Sequence, residues 1–255
     1  MMAVRHPTVV VTGASGAIGS ATVEALQRRR VQVIELTRPS LDLSSMASVR
    51  ATARELNRTA GHIDALLNIA ATFTTRYQKT KEGFETMLAT NHLGPFLLTN
   101  LLRDRLTPGG RVITVTAPST TRVDMDRLQD RERFNAMHTF GATKAANLMF
   151  TFELARRAKR WEIRANAFYP GLVRSELMRE APRVVRLAAR LVSRSPDRAA
   201  HDLADLALSP AHAGTTGWLF KGTRHIDAPR ATQDIGQQSK LWQKTTDLVE
   251  LEGGF

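Results

Sequence analysis

Three glycines, Gly13, Gly16 and Gly19, recur at intervals of three directly after the apolar run Thr8-Val9-Val10-Val11-Thr12 and at the start of a helical pattern. Glycine tolerates positive φ and lets backbone come close to a ligand, and the helix N-terminus beyond it attracts negative charge. In strand-turn-helix context this spacing is a cradle for a dinucleotide pyrophosphate. The second apolar run ends Leu36-Thr37-Arg38. A carboxylate at its tip would hold a ribose 2′-hydroxyl and repel a 2′-phosphate. The tip has none, and Glu35 should alternate to the opposite side. Arg38, helped by Thr37, suits a charge-assisted contact with a 2′-phosphate. An ordinary surface role for Arg38 is the competing reading, and NADP(H) is favoured over NAD(H).

Phe140 and Lys144 are four residues apart and so share one face of a helix. Lysine brings positive charge to that face, whereas a phenyl ring has no proton to transfer. Other proton sources are few: the chain has 2 tyrosines, Tyr77 and Tyr169, and His138 belongs to a residue type with a pKa of about 6.5. Each also reads as an ordinary structural residue. The absence of cysteine excludes a thiolate nucleophile, disulfides and cysteine metal sites. No metal site is expected.

These residues are carried by apolar runs that alternate with longer helical patterns, the signature of βαβ units and a parallel sheet. Strands are predicted at Thr8–Thr12, Val31–Leu36, Ile63–Ile69, Arg111–Thr116, Ile163–Phe168 and Trp218–Phe220. Helices are predicted at Ile18–Arg30, from the cap Ser44-Ser45 to about Thr59, within Lys81–Leu106, over about Arg133–Lys159, and from Ser195-Pro196-Asp197, where proline suits a first turn. Only Pro39-Ser40 separates Arg38 from Leu41-Asp42-Leu43, too little for a crossover helix. The basic amphipathic stretch after Pro170-Gly171 suggests a substrate lid over about 172–200. Its apolar residues, such as Leu172 and Leu177, suit a flat or greasy ligand; a surface helix packed on the core is the alternative.

The chain has 255 residues, 42% hydrophobic and 24% charged, which suits one α/β domain spanning 1–255. The net charge of +12 is scattered along helices without interleaved aromatics, which argues against nucleic acid. No apolar run reaches the roughly 18 residues of a membrane span, and no signal peptide is visible. A cytoplasmic protein is expected.

The segment Thr12-Gly13-Ala14-Ser15-Gly16-Ala17-Ile18-Gly19, read with Phe140-Gly141-Ala142-Thr143-Lys144, resembles the short-chain dehydrogenase/reductase family, whose signature pairs TGxxxGxG with Tyr-x-x-x-Lys. The resemblance runs from Val9 to about Leu241. The segments NHLGPFLLTNLL and Gly217-Trp218-Leu219-Phe220 look most like the retinol-dehydrogenase-like branch. It implies a single Rossmann-type domain, a doubly wound parallel sheet with helices on both faces. It also implies contacts of Gly13, Ser15, Gly16, Ala17, Ile18 and Gly19 with the cofactor, and of Asp42-Leu43 with adenine. Asn68 and Ala70 stand in place of the first and third residues of the usual NNAG. Lys144 would bind the nicotinamide ribose, and Asn91 would hold a water beside it. Pro170, Gly171, Val173 and Ser175 resemble the PGxxxT segment at the nicotinamide amide and pyrophosphate. Helices Lys81–Leu106 and Arg133–Lys159 resemble those that pair subunits, implying a homodimer or homotetramer.

The departures are local. Phe140 stands where the family has its proton-donating tyrosine, and Ala117 where it has a serine. Ser119 or Thr116 are the nearest hydroxyls. Tyr77 and Tyr169 lie in regions that border the nicotinamide in this fold. The sequence therefore points to an NADPH-dependent reductase of a ketone or quinone-like carbonyl, with an aromatic or apolar substrate and a proton supplied by the substrate's own hydroxyl or by water. Two alternatives stay open: an inactive NADP-binding sensor or scaffold, and a non-redox cyclase or isomerase.

Overall fold

The protein is described by a computed structural model covering residues 5–106, 108–171 and 195–255. Its centre is β1 (Thr8–Thr12), buried along its whole length. Alternate residues of this strand feed two different cores. Val10 packs with Leu66 and Val112, whereas Val9 and Val11 pack with Leu67 and Ile113. A strand buried on both faces belongs to a parallel sheet with helices on each side.

The strands β2 (Gln32–Leu36), β3 (Ala65–Asn68), β4 (Arg111–Val115), β5 (Arg164–Tyr169), β6 (Leu219–Lys221) and β7 (Arg224–Ile226) complete a seven-stranded sheet in the order β2-β1-β3-β4-β5-β6-β7. All pairings are parallel except β6–β7. Helices α1 (Ala17–Arg28) and α5 (Pro196–Leu208) cover one face. The other carries α2 (Met46–Thr59), α3 (Gly94–Leu101), α4 (Ala136–Arg157) and α6 (Ile235–Leu248). This is the doubly wound Rossmann-like architecture expected from the sequence.

Several boundaries differ from the sequence reading. Residues 81–85 are not helical: Gly83 has φ +87°, and Lys79 bridges Glu85. Helix begins at Thr86, where the Glu85 carboxylate accepts from the Leu88 N–H at 2.7 Å. It then passes through a π turn, Ala89–Leu93, before α3. The next predicted helix starts at Ala136 rather than Arg133, because Asn135 Oδ1 accepts from the His138 N–H at 2.9 Å and caps it. Strand β7 and helix α6 were outside the sequence-based assignment. Trp242 of α6 packs its ring 4.8 Å from Phe96 of α3 and 5.8 Å from Phe150 of α4.

Between β2 and α2 the chain forms neither helix nor strand, in keeping with the short Arg38–Leu41 spacing. Of the predicted lid, residues 172–194, with Leu172, Val173, Ser175 and Leu177, lie outside the described residues. Residues 196–200 open α5, and Ala199 and Ala200 are buried in the core.

Candidate active site

The glycine turn is shaped by contacts that exclude side chains. Gly13 has φ +68°, and a Cβ there would stand 2.8 Å from the Ala70 Cα; one on Gly19 would stand 2.0 Å from the Gly13 carbonyl oxygen. A side chain at residue 16 would meet only that same oxygen, at 3.3 Å, and otherwise occupy the cavity. Gly16 caps α1 with no side-chain bond to its first N–H groups, which leaves them free for an anion. Thr12 Oγ1 accepts from the N–H groups of Ile69 and Ala70 at 3.1 and 3.3 Å, joining the turn to the opposite wall.

These segments enclose a cavity of about 610 Å³ at the C-terminal ends of the strands. Gly13, Ser15, Gly16, Ala17, Ile18 and Gly19 form one wall. Thr37, Arg38, Asp42 and Leu43 form the second, and Ile69 to Phe73, including Ala70, the third. Arg38 is exposed and makes no ion pair among the described residues. Asp42 Oδ1 accepts from the Ser44 N–H at 2.9 Å and the Ser44 hydroxyl at 2.7 Å, fixing a turn in the second wall. That wall leans on α3 so closely that a Cβ on Gly94 would lie 2.3 Å from the Leu43 carbonyl oxygen.

Asn68 ends β3, one residue before the third wall. It is buried, and its Nδ2 donates to Thr99 Oγ1 at 3.1 Å. Asn91 also acts on the wall from behind. Its Oδ1 accepts from the Thr72 N–H at 2.7 Å, and its Nδ2 donates to the Thr72 carbonyl at 3.0 Å. Its own carbonyl accepts from Asn147 Nδ2 at 2.9 Å. The asparagine expected to hold water is thus engaged mainly in clamping Thr72, and Thr72, Asn147 and His92 are site-supporting residues that the sequence reading missed. The Asn147 Oδ1 is left as acceptor, so His92 donates from Nδ1, at 3.2 Å; its Nε2 lies 3.1 Å from Thr245 Oγ1. Burial pushes His92 down to about 4, so the ring is neutral.

Beyond Phe73 lie Phe140 and Lys144. Phe73 meets Phe140 edge to face, with ring centroids 5.5 Å apart. The Lys144 ammonium lies 5.1 Å from the Phe140 centroid, and burial pushes it down to about 8. Thr116 Oγ1 donates to the Lys144 carbonyl at 2.8 Å, which ties β4 to α4. Ser119 sits beside α4: a Cβ on Gly141 would lie 3.4 Å from its Oγ and 2.5 Å from Thr121 Oγ1. Tyr77 donates its hydroxyl to the Gln129 carbonyl at 2.7 Å. Tyr169 ends β5 and packs beside Leu148 and Leu219, with the Lys221 ammonium 5.9 Å from its centroid. His138 is half-buried near the start of α4, with burial lowering its pKa. Pro170 and Gly171, with φ +80° at the glycine, leave β5 at the same end of the sheet. Among the described residues no group of three or more His, Cys, Asp or Glu could hold a metal.

Residues 2–217 match the family model described as enoyl-(acyl carrier protein) reductase. Human retinol dehydrogenase 14 is 30% identical over 290 residues, covering 96% of this chain and 86% of its own length. The protein named as the daunorubicin C-13 ketoreductase DnrU of Streptomyces sp. (strain C5) is 31% identical over 268 residues, covering 95% of this chain and 92% of its own. Among solved structures, the 3-alpha-hydroxysteroid dehydrogenase of Pseudomonas sp. B-0831, complexed with NADH, superposes with a TM-score of 0.70 at 20% identity, covering 84% of this chain and 94% of that one. Family model, relatives and sheet topology agree: the chain belongs to the short-chain dehydrogenase/reductase family of oxidoreductases.

Proposed function

We propose that the protein is an NADPH-dependent reductase of a ketone or quinone-like carbonyl. The observation that carries the cofactor choice is Arg38, a cation on the cavity wall without a carboxylate partner among the described residues. A 2′-phosphate there would meet a guanidinium suited to bidentate contact, with the Thr37 hydroxyl beside it. The pyrophosphate would lie over Gly16 and the free N–H groups at the start of α1, in the space a Cβ would otherwise take. Asp42 and Leu43 would meet adenine. Lys144, Pro170, Gly171, Val173 and Ser175 would hold the nicotinamide half. When bound, the reduced cofactor supplies hydride.

The chain's own part is placement. Asn91 fixes Thr72 and so the third wall. Phe73 and Phe140 offer an aromatic surface to a flat, apolar substrate. Positioning alone can contribute about 7–11 kcal/mol toward a bimolecular step, whereas a general acid adds roughly 10²- to 10⁴-fold. Reduction without the tyrosine is therefore feasible if the proton comes from water or from a hydroxyl on the substrate, as in a hydroxyquinone. Tyr169 and Ser119 are alternative donors. A cytoplasmic location belongs to this reading. Among the described residues no helix is long and apolar enough to cross a membrane. A homodimer or homotetramer is part of this reading.

A second reading, an inactive NADP-binding sensor, rests on Phe140, whose phenyl would stand in the place of the family's acid. Incubating the protein with NADPH and a panel of ketones and hydroxyquinones, while following absorbance at the nicotinamide band, separates the two. Turnover of any carbonyl supports the reductase. Tight NADPH binding with every carbonyl untouched sinks it and leaves the sensor.

A further inference from the structure

Lys144 is buried, yet its ammonium has neither a hydrogen bond nor an ion pair among the described residues. Its close neighbour is an aromatic ring, that of Phe140, at 5.1 Å. At about 100° per residue, positions 140, 141 and 144 fall within one arc of the helix, with 144 between the other two. On one flank Phe140 touches Phe73 of the cavity wall. On the other, the loop leaving β4 presses two hydroxyls against Gly141, so closely that a Cβ would stand 2.5 Å from Thr121 Oγ1. Ser119 Oγ accepts from the Thr121 N–H at 3.2 Å, which leaves its own proton free to donate. Thr116 holds the backbone of Lys144 from below. Lys144 thus shares this arc of the helix with the aromatic wall at Phe140 and with Gly141, the residue that the two hydroxyls meet.

We propose that Lys144 is itself the proton donor of the carbonyl reduction, with Ser119 and Thr121 steering the substrate oxygen toward its ammonium. The proposal rests on the reductase reading and commits it to proton supply from water, with lysine as the last donor. The carbonyl carbon accepts hydride from the reduced nicotinamide, and the C=O π pair moves onto oxygen. That oxygen takes a proton from Lys144 Nζ, the N–H bond pair remains on nitrogen, and the neutral amine is reprotonated from water. The net change is one carbonyl, one NADPH and one proton to one alcohol and one NADP⁺.

Burial holds the lysine at about 8, and no neighbouring charge adds to that shift. An acid near the working pH is mostly protonated and still gives its proton readily. The ionisable groups on the surrounding elements are engaged elsewhere. His92 is held by Asn147 and Thr245, Glu85 by the Leu88 N–H, and Glu153 by Arg156 and Arg157. Tyr169 faces Lys221, and His138 lies near Arg127 and Asp124. The Lys144 proton is left for the substrate.

Lys144→Arg is the discriminating variant, because a guanidinium keeps the charge that orients ribose but does not release its proton. The expected result is a fall in kcat of about 10²-fold or more, with NADPH affinity, read by fluorescence, close to wild type. Ser119→Ala with Thr121→Val should lower kcat/KM about tenfold by removing oxygen contacts, and Thr121→Ser should restore it. Wild-type kcat should fall as pH rises through about 8. Independently of turnover, pH-dependent acylation of Lys144 in the wild-type protein, read by mass spectrometry, should be half-complete near that pH. An Arg variant as active as wild type, or half-acylation at the ordinary lysine value of about 10.4, overturns the assignment and leaves the reductase standing. A wild type that binds NADPH but turns over no carbonyl overturns the reductase reading, and the donor role with it.

Discussion

Asn147 donates from Nδ2 to the main-chain oxygen of Asn91 at 2.9 Å, joining α4 to the π turn. Asn147 lies one helical turn beyond Lys144, and Asn91 clamps the Thr72 wall, so this bond sets the distance between the two halves of the site. π turns interrupt helices often at functional positions. Replacing Asn147 by alanine would leave the Asn91 carbonyl and the His92 N–H buried without partners. The expected cost is about 1–3 kcal/mol per orphaned group, with a drop in kcat larger than the change in NADPH affinity. Urea unfolding and steady-state kinetics of Asn147→Ala check both; unchanged stability would remove the clamp from the account.

The same network makes an acid-sensitive element of His92. Its folded pKa, about 4, lies below the ordinary histidine value because burial disfavours the charged ring. Between those values the unfolded chain binds a proton that the folded chain refuses, so stability is fully present above about 6.5 and is lost as pH falls toward about 4. The loss amounts to roughly 3 kcal/mol. His92→Gln should flatten the denaturation midpoint across that window, and a variant with the wild-type pH dependence would assign the effect elsewhere.

Gly94 lets the second cavity wall approach α3 closely. A methyl at this position must displace the Leu43 carbonyl, which is backbone and lies 2.3 Å away. Overpacking of this kind costs about 1–3 kcal/mol. Gly94→Ala should therefore lower the melting temperature and weaken NADPH binding together, because Leu41–Ser44 lines the cavity. Loss of stability with unchanged cofactor affinity would show that the wall absorbs the shift.

Trp242 of α6 carries a comparable load on the opposite side, between Phe96, Phe150 and the Arg157 guanidinium, which lies 4.7 Å from its ring. Truncating a buried aromatic costs about 3–5 kcal/mol. Trp242→Ala should be strongly destabilised in thermal unfolding. Light scattering on this variant and on wild type also checks the assembly: if uncovering α3 and α4 raises the mass, α6 occupies a surface suited to pairing.

The glycine turn, Arg38 and the Phe140–Lys144 spacing were legible because each is a local pattern: a few residues whose types and separation already specify a turn or a helix face. The alternating cores around β1 followed from an unbroken apolar run. Helix α6 was not legible, since Gln237, Lys240 and Lys244 dilute its apolar stripe and the face it buries is half polar, with Gln238 and Thr245 beside Leu241 and Trp242. The π turn was hidden inside what reads as continuous helix. The Asn147–His92–Thr245 network joins residues 55 and 153 positions apart; Ser119 was legible as a hydroxyl near the serine position, whereas its neighbour Thr121 depends on the close approach of that loop to Gly141. At Asn68 a motif position alone could not reveal that Thr99 holds the side chain inside the core.

Arg38 provides the sharpest test of cofactor choice. A hydrogen bond to a charged group contributes about 1.5–3 kcal/mol, so Arg38→Ala should weaken NADPH binding by roughly 10- to 100-fold. NADH has no 2′-phosphate and should bind the variant about as well as the wild type. Because Arg38 is exposed, raising ionic strength should narrow the wild-type preference for NADPH over NADH, as screening acts on the phosphate contact and spares the rest of the cavity. Fluorescence titration of both cofactors against both proteins gives the four affinities required. Equal losses for NADH and NADPH would mean that Arg38 supports the Thr37–Leu41 turn instead of reading the phosphate.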